Sequence, residues 1–473
     1  MKKERKPMTH RISRRQALKM GAIIVGGAAV VPLAFKGIQL LTYSTSQTAI
    51  AGPLPWSEAN GILASTALPS FPNTNFVVTH PAYGARGDGH SDNTAAFQKA
   101  ISACSAAGGG HVVVPAGTYV TGAIYLKSNV DLHLDPGATL MFSGDASKYP
   151  LVLTRYEGIE CMNHSPMIYA YGEKNIALTG SGTLDASGTA SWNHGSDRTR
   201  VLEPLVAGGM PPQQRYAAGR LRSSFVQPYS CDTVLIQGVT LRNSRFWQLH
   251  PTLCRNVTID GVTTHHSGSN TDGCDPECCD QVVIKNSTLL AGDDNIALKS
   301  GRDADGRRIN VPTQNVVIWN NQFEGPWGAI SLGSELTGGI RNVYAYNNST
   351  IGSGTRYALY VKSNTRRGGF ARNVHVDRFH GSGFHGAVVF ATMSYLGQTG
   401  NFLPDFSGPF NLANFVVDTA PIALDLHGLS DDKAGTFNLS NCTFTHIANP
   451  TSSISNVTKV NYTHVTINGK PVQ

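Results

Sequence analysis

Short phrases in which β-branched and polar residues alternate recur along the chain. They read "NVDLHL" at Asn129, "NIALTGSGTLD" at Asn175, "TVLIQGVTLRNS" at Thr233 and "NVTIDGVTTHHS" at Asn256. They continue as "QVVIKNSTLL" at Gln281, "NVVIWNNQF" at Asn315, "NVYAYNNST" at Asn342 and "NVHVDRF" at Asn373. A period of two sends alternate side chains to opposite faces, the pattern of half-buried strands. Each phrase closes on Asn, Gly, Asp or Ser, the residues that make turns. The repeat, mostly about 23 to 34 residues, is that of a solenoid.

Little helical pattern separates the phrases, so each coil must hydrogen-bond to the next, with like residues stacked about 4.8 Å apart. The expected fold is all-β, a right-handed single-stranded parallel β-helix. A sandwich or propeller is the alternative, but the hairpin dipeptides it would need at even intervals are missing. The cysteines give an independent register. Cys231, Cys254 and Cys279 each stand three residues before the valine of successive phrases, which predicts an internal stack. That use of Cys279 argues against Cys274, Cys278 and Cys279 as metal ligands, while disulfide pairing stays open.

One amphipathic helix is expected in "SDNTAAFQKAISACSAAGGG", with Asp92 or Asn93 as N-cap and a stripe of Phe97, Ala100, Ile101 and Cys104. It would cover the open edge of the first coil. Residues 186–222, rich in Gly, Pro, Arg and Gln, break the repeat and read as a long loop beside the active face.

The N-terminus changes the reading of charge. "SRRQALKMGAIIVGGAAVVPLAF" has Arg14-Arg15 ahead of an apolar run too short and glycine-rich for a comfortable membrane span. It resembles a twin-arginine export signal, with Ala17 where an aromatic is commonest and Ala51 as the expected cleavage point. A retained anchor is the alternative. The division expected is 1–51 signal, 52–75 linker and 76–473 β-helix, exported to periplasm or medium. Of the formal +7, nine cations and one acid lie in the first 51 residues, leaving a charge near −1. Nucleic acid is therefore not an expected partner. No stable membrane partner is expected either, and the capped solenoid predicts a monomer.

Aligning the later half of each coil puts "DNIALKSG" from Asp294, "GAISLGSE" from Gly328 and "YALYVKSN" from Tyr357 in one register, with "DGCDPECC" from Asp272 beneath. Asp272 then stacks under Asp294, with Asp293 beside them and Asp275 three places further along. Crowded carboxylates raise at least one pKa, which suits a general acid, while another stays ionised to deprotonate water. Loop aspartates, an Asp/Asn ladder or a calcium site are the alternatives from spacing alone.

"NTDG" (Asn270–Gly273), "GDD" (Gly292–Asp294) and "GSE" with "GGIRNV" resemble the polygalacturonase family, family 28 of the glycoside hydrolases. So do "YGARGDGHSDNTAAFQKAI" and "SPMIYAYGEKNIALTGSGTLD", and the likeness spans about Val78 to Phe406. The resemblance implies an inverting hydrolase of pectic, galacturonate-containing polysaccharide of the plant cell wall, without a cofactor and with no metal. It implies Asp293 as general acid, Asp272 and Asp294 as the pair activating water, and Lys362 as a carboxylate-binding lysine. Asn270, Arg367, Arg302 and Tyr360 join it as substrate-binding candidates, with Arg366 beside them. Two departures stand out: Gly328 where the family has a histidine, and Tyr360 where it has an arginine. A rhamnogalacturonan hydrolase of the same mechanism, a β-helix lyase and a carbohydrate-binding β-helix without turnover are the alternatives. His250, His265 or His266 would replace the missing histidine, and Trp327 would stack on a sugar ring.

Overall fold

The computed structural model describes residues 53–472, so the signal expected over 1–51 lies outside the described residues. Three parallel ladders run the length of a right-handed β-helix. In the longest, Asp232–Gln237 pairs with Arg255–Asp260, then Asp280–Lys285, Thr313–Trp319 and Ile340–Thr350, all in parallel register. A second ladder stacks Thr183–Asp185, Thr240–Arg242, Thr263–Thr264 and Thr288–Leu290. The third stacks Ile296–Leu298, Gly328–Gly333, Tyr357–Lys362 and Ala387–Thr392, and it carries the functional face. Inward valines, isoleucines, leucines and phenylalanines of all three ladders fill one continuous core.

The repeating asparagines explain why the phrases begin as they do. Asn129, Asn175, Asn256, Asn315, Asn342 and Asn373 all hold φ between 53° and 65°, a left-handed corner that asparagine tolerates. Their amides form ladders from coil to coil, as in Asn373 to Asn342 (3.0 Å) and Asn342 to Asn315 (2.9 Å). Cys231, Cys254 and Cys279 share one column, as the spacing predicts, and the Cys254 amide donates to Cys279 Sγ at 3.4 Å. All eight cysteines are free and buried.

Helix α1 (Ser57–Ser65) falls in the stretch expected to be a linker. The stretch is docked instead, because Leu54, Ala59 and Ile62 bury against Val317, Tyr344 and Tyr346 on the outer wall. Beyond α1, the chain follows the asparagine corners, with the Ser70 amide on Asn175 Oδ1 at 2.9 Å. Helix α2 (Thr94–Ala106) buries Phe97, Ala100, Ile101 and Cys104 over the first coils. Asn93 occupies its N-cap position without capping it. Its buried amide instead ties Arg86, Ser91 and Val120.

Residues 186–222 form short 3-10 turns and helix α3 (Glu203–Ala207) rather than coil strands. They pack through Leu202, Ala217 and Leu221 on a hairpin, Leu151–Tyr156 with Ile159–His164, that the repeat pattern does not announce. A fourth short helix, α4 (Asp303–Ile309), follows the coil that carries Ile296–Leu298. Among the described residues no helix is long and apolar enough to cross a membrane.

Candidate functional site

The acids stand where the chain turns onto the third ladder. Cys274 bridges Ile296 in parallel, which seats Asp272 one coil below Asp294, as the alignment predicts. The "GDD" turn is rigid. Asn295 Nδ2 donates to the carbonyls of Leu289 (2.7 Å) and Glu324 (2.8 Å), binding three coil segments together. Gly292 lies so close to the Gly268 carbonyl oxygen that any Cβ there would collide with it. Asp293 and Asp294 are thereby held against Asp272, with one oxygen of each of the three within 4.8 Å of the others.

The three carboxyls differ in what surrounds them. Asp294 is 1% exposed and accepts from Lys362 Nζ and from the Gly328 amide, both at 2.8 Å. Asp272 is also buried, and its Oδ1 has no hydrogen-bond partner. Burial first, and then the charge of Asp293, push its pKa well above the ordinary carboxylate range. Asp293 is half-buried and faces the cleft, and burial followed by the charge of Asp294 brings its pKa up to about 6. The trio thus combines one carboxylate with an ammonium beside it and two neighbours that hold protons readily. That is the equipment of acid–base hydrolysis.

Three carboxylates so close are also a donor set for a cation. Here the counter-charge comes from the chain itself. Burial disfavours the charges of Lys362 and Lys299, but Asp294 together with Tyr360, Tyr395 and Asp293 outweighs it for Lys362, and Glu335, Asp272 and Asp275 together outweigh it for Lys299. Both ammoniums stay charged. Lys299 sits over Trp247, 4.9 Å from the ring centroid, 3.1 Å from Glu335 Oε2 and 3.9 Å from Asp275 Oδ1.

The acids open into a cleft of about 880 Å³. Its wall comes from loops: Glu157 from the hairpin turn, Arg198, Arg200 and Glu203 from the inserted segment, Arg302 before α4, and Arg366 and Arg367 two coils on. Most of these charges satisfy one another. Arg302 reaches Glu157 (3.0 Å), Glu335 (3.3 Å) and Glu203 (3.5 Å). Arg366 holds Glu203 (2.9 Å) and Asp303 (3.0 Å), and the buried Arg367 meets Asp303 at 3.3 Å. Arg200 is exposed and, among the described residues, donates only to the Asp197 carbonyl.

The expected site residues are therefore mostly assembled. Asp272, Asp293, Asp294, Asn270, Lys362, Arg302 and Arg367 all bound the cleft. Tyr360 does not. It is 3% exposed, its ring lying under Lys362 Nζ (4.0 Å) and packed on Tyr357 and Phe390, so the ammonium covers the face a sugar would touch. Trp327 borders the cleft with Arg356 over its ring at 4.5 Å. His250 is fully buried behind Trp247 and bonded to Glu277, and His265 and His266 are exposed outside the cleft, so none stands in for the absent histidine.

Position 328 itself has little room for a side chain. A Cβ there would stand 3.0 Å from Tyr360 Cβ and 3.1 Å from Asp294 Oδ1, with Ser331 Oγ closer still. Its backbone amide donates to Asp294 Oδ1 directly.

The family model described as "Glycosyl hydrolases family 28" matches residues 104–397. The chain belongs to glycosyl hydrolases family 28. Within that family it is a polygalacturonase-like glycoside hydrolase. It is 34% identical to a hyperthermoactive exopolygalacturonase from Thermotoga maritima, with a TM-score of 0.81 over 87% of this chain and 96% of that one. A probable polygalacturonase of Vitis vinifera is 29% identical over 77% of this chain and 73% of that protein. An exo-poly-alpha-D-galacturonosidase of Dickeya chrysanthemi is 29% identical over 75% of this chain and 62% of that protein.

Several residues of this family 28 cleft escaped the sequence reading: Lys299, Glu335, Trp247, Arg198, Arg200 and Glu203. Lys299 had a signal, since the "KS" of "ALKSG" and of "YVKSN" share one column through Gly333. The wall residues sit in irregular loops, where no period points to them.

Proposed function

We propose that this chain is a bacterial exo-acting hydrolase that removes galacturonate units from the ends of pectic chains of the plant cell wall, with inversion at the anomeric carbon. The observation that carries it is the trio of Asp272, Asp293 and Asp294 beside a cation-rich cleft. Asp293, the most open of the three, gives its proton to the leaving glycosidic oxygen. Asp294, paired with Lys362, deprotonates the water, and Asp272 helps to hold it. Oxygens within 4.8 Å are closer than the usual ~6.5–9.5 Å between inverting carboxyls, so the water lodges to one side of the trio, under the Asp272–Asp294 pair.

Exo action is supported by the likeness to exopolygalacturonases and by the inserted segment that lends Arg198, Arg200 and Glu203 to the wall. Carboxylate recognition falls to cations not already saturated by acids, Arg200 first and Lys362 at the scissile unit. The twin-arginine-like N-terminus supports export to periplasm or medium, with the mature chain beginning near Ala51.

The test is the first-formed product from defined oligogalacturonates, followed by proton NMR. The expected result is release of short units from one end, appearing first as the β anomer. A mixture of internal fragments overturns the exo reading, and a first-formed α anomer overturns inversion. Gly328 and Tyr360 keep rhamnogalacturonan in view as the second substrate, and cleavage of that backbone alone would replace homogalacturonan with it.

A further inference from the structure

The inserted segment ends at Arg222, just before the coils resume at Val226–Tyr229. Its guanidinium is held by neutral acceptors. Nη1 donates to the carbonyls of Arg245 and Ser269, both at 2.8 Å, and Nη2 donates to Asn270 Oδ1 at 2.7 Å. The same group lies over the Phe246 ring, 5.1 Å from its centroid. Among the described residues no carboxylate pairs with it.

An arginine can only donate, so Asn270 must turn its oxygen toward Arg222. Its other end is then the NH2 group, and that group faces Asp293, with Nδ2 at 3.4 Å from Oδ2. Asp293 Oδ1 already accepts from the Asp294 amide at 3.1 Å. Both carboxyl oxygens are thus turned to N–H groups, one supplied by the backbone and one whose direction is decided by Arg222.

We propose that Arg222 is a positioning residue for the proton donor, acting through Asn270: it fixes the amide so that an N–H, not a carbonyl oxygen, meets Asp293. The inference rests on the reading of Asp293 as the acid. An N–H offered to a carboxyl favours its ionised form, whereas an oxygen in that place favours the protonated form. Arg222 therefore works against burial and the Asp294 charge, which together hold the proton on Asp293. It also ties the loop that walls the cleft to the group that donates the proton. A loop displaced at Arg222 frees the amide to turn over.

The test is the pH profile of kcat on an oligogalacturonate. Arg222→Met keeps the packing on Phe246 and removes every donor. The expected result is an alkaline limb moved up by roughly 0.5–1 pH unit, with the acidic limb and KM unchanged. Arg222→Lys, which retains a donor for Asn270, should restore the limb. Asn270→Gly, suited to the φ of 57° at that position, cuts the relay at its other end and should move the limb in the same direction. If Arg222→Met does not fold, Asn270→Gly decides the matter. An alkaline limb unmoved in a wild-type-active background overturns the relay and leaves the proposed function standing. Full turnover by Asp293→Asn overturns the acid assignment itself, and the relay with it.

Discussion

The floor and the wall of the cleft both crowd charge, yet they are built on different principles. The floor is periodic: Asp272, Asp294, Gly328, Lys299 and Lys362 sit at fixed phases of successive coils, locked by the ladder at Cys274, Ile296 and Ile330. The wall is aperiodic: the hairpin and the inserted segment share an apolar cluster, and ion pairs tie both to the Arg302 turn and the loops after Lys362. The floor leaves acids under-compensated: among the described residues, Asp272 Oδ1 at the cleft and both oxygens of the buried Asp275 behind it have no hydrogen-bond partner. The wall pairs nearly every charge. Unspent electrostatic energy therefore accumulates at the floor, which is where proton transfer needs it.

The sharpest way to break the contrast is Asp293→Asn. It keeps shape and hydrogen bonding but removes the transferable proton, so kcat should fall about 10²- to 10⁴-fold while KM stays within about twofold. Steady-state rates on an oligogalacturonate measure both. The same residue sets a pH dependence. A general acid works only while protonated, and Asp293 titrates at about 6, so wild-type kcat should decline as pH rises past that value. A variant with unchanged kcat would move the acid role off the floor's most open carboxyl.

The floor was legible in sequence and the wall was not, for one physical reason. A β-helix stacks like positions, so aligning "DNIALKSG" with "GAISLGSE" and "YALYVKSN" is already a statement about neighbours in space. Asp272 under Asp294 follows from it, as does Lys299 in the column of Lys362. Tyr360 shows where alignment stops, since phase gives its column but not the ammonium that covers its ring. The wall depends on where irregular loops double back, and there composition marked the segment 186–222 without indicating that Arg302 would be consumed by Glu157 and Glu335. The docked helix α1 was missed because three apolar residues among small polar ones make a weak helical stripe.

Gly328→Ala tests the floor by geometry rather than charge. The added methyl meets Ser331 Oγ first, then Tyr360 and Asp294, and any shift of residue 328 disturbs the hydrogen bond its amide donates to Asp294. The expected loss in kcat is about 10- to 100-fold, with little change in KM, because a small displacement of a catalytic group is costly. A crystal structure or the rate itself checks it. Normal rates would show that the Asp294 position tolerates movement, and the floor would lose its claim to rigidity.

The smallest effect expected is the one that separates spent from unspent cations on the wall. Arg367 is 1% exposed and shares Asp303 with Arg366, so Arg367→Met removes one of two cations from that carboxylate and should cost about 1.5–3 kcal/mol in denaturant unfolding. Arg200 is exposed and, among the described residues, meets no acid, so Arg200→Gln should leave unfolding unchanged. If Arg200 grips a galacturonate carboxylate, its loss should raise KM about 3- to 10-fold at low salt with kcat intact, and the difference should shrink as salt screens the contact. An unchanged KM would mean that the wall binds the polymer by shape alone, and that the charge useful to an anionic substrate lies wholly on the floor, at Lys362.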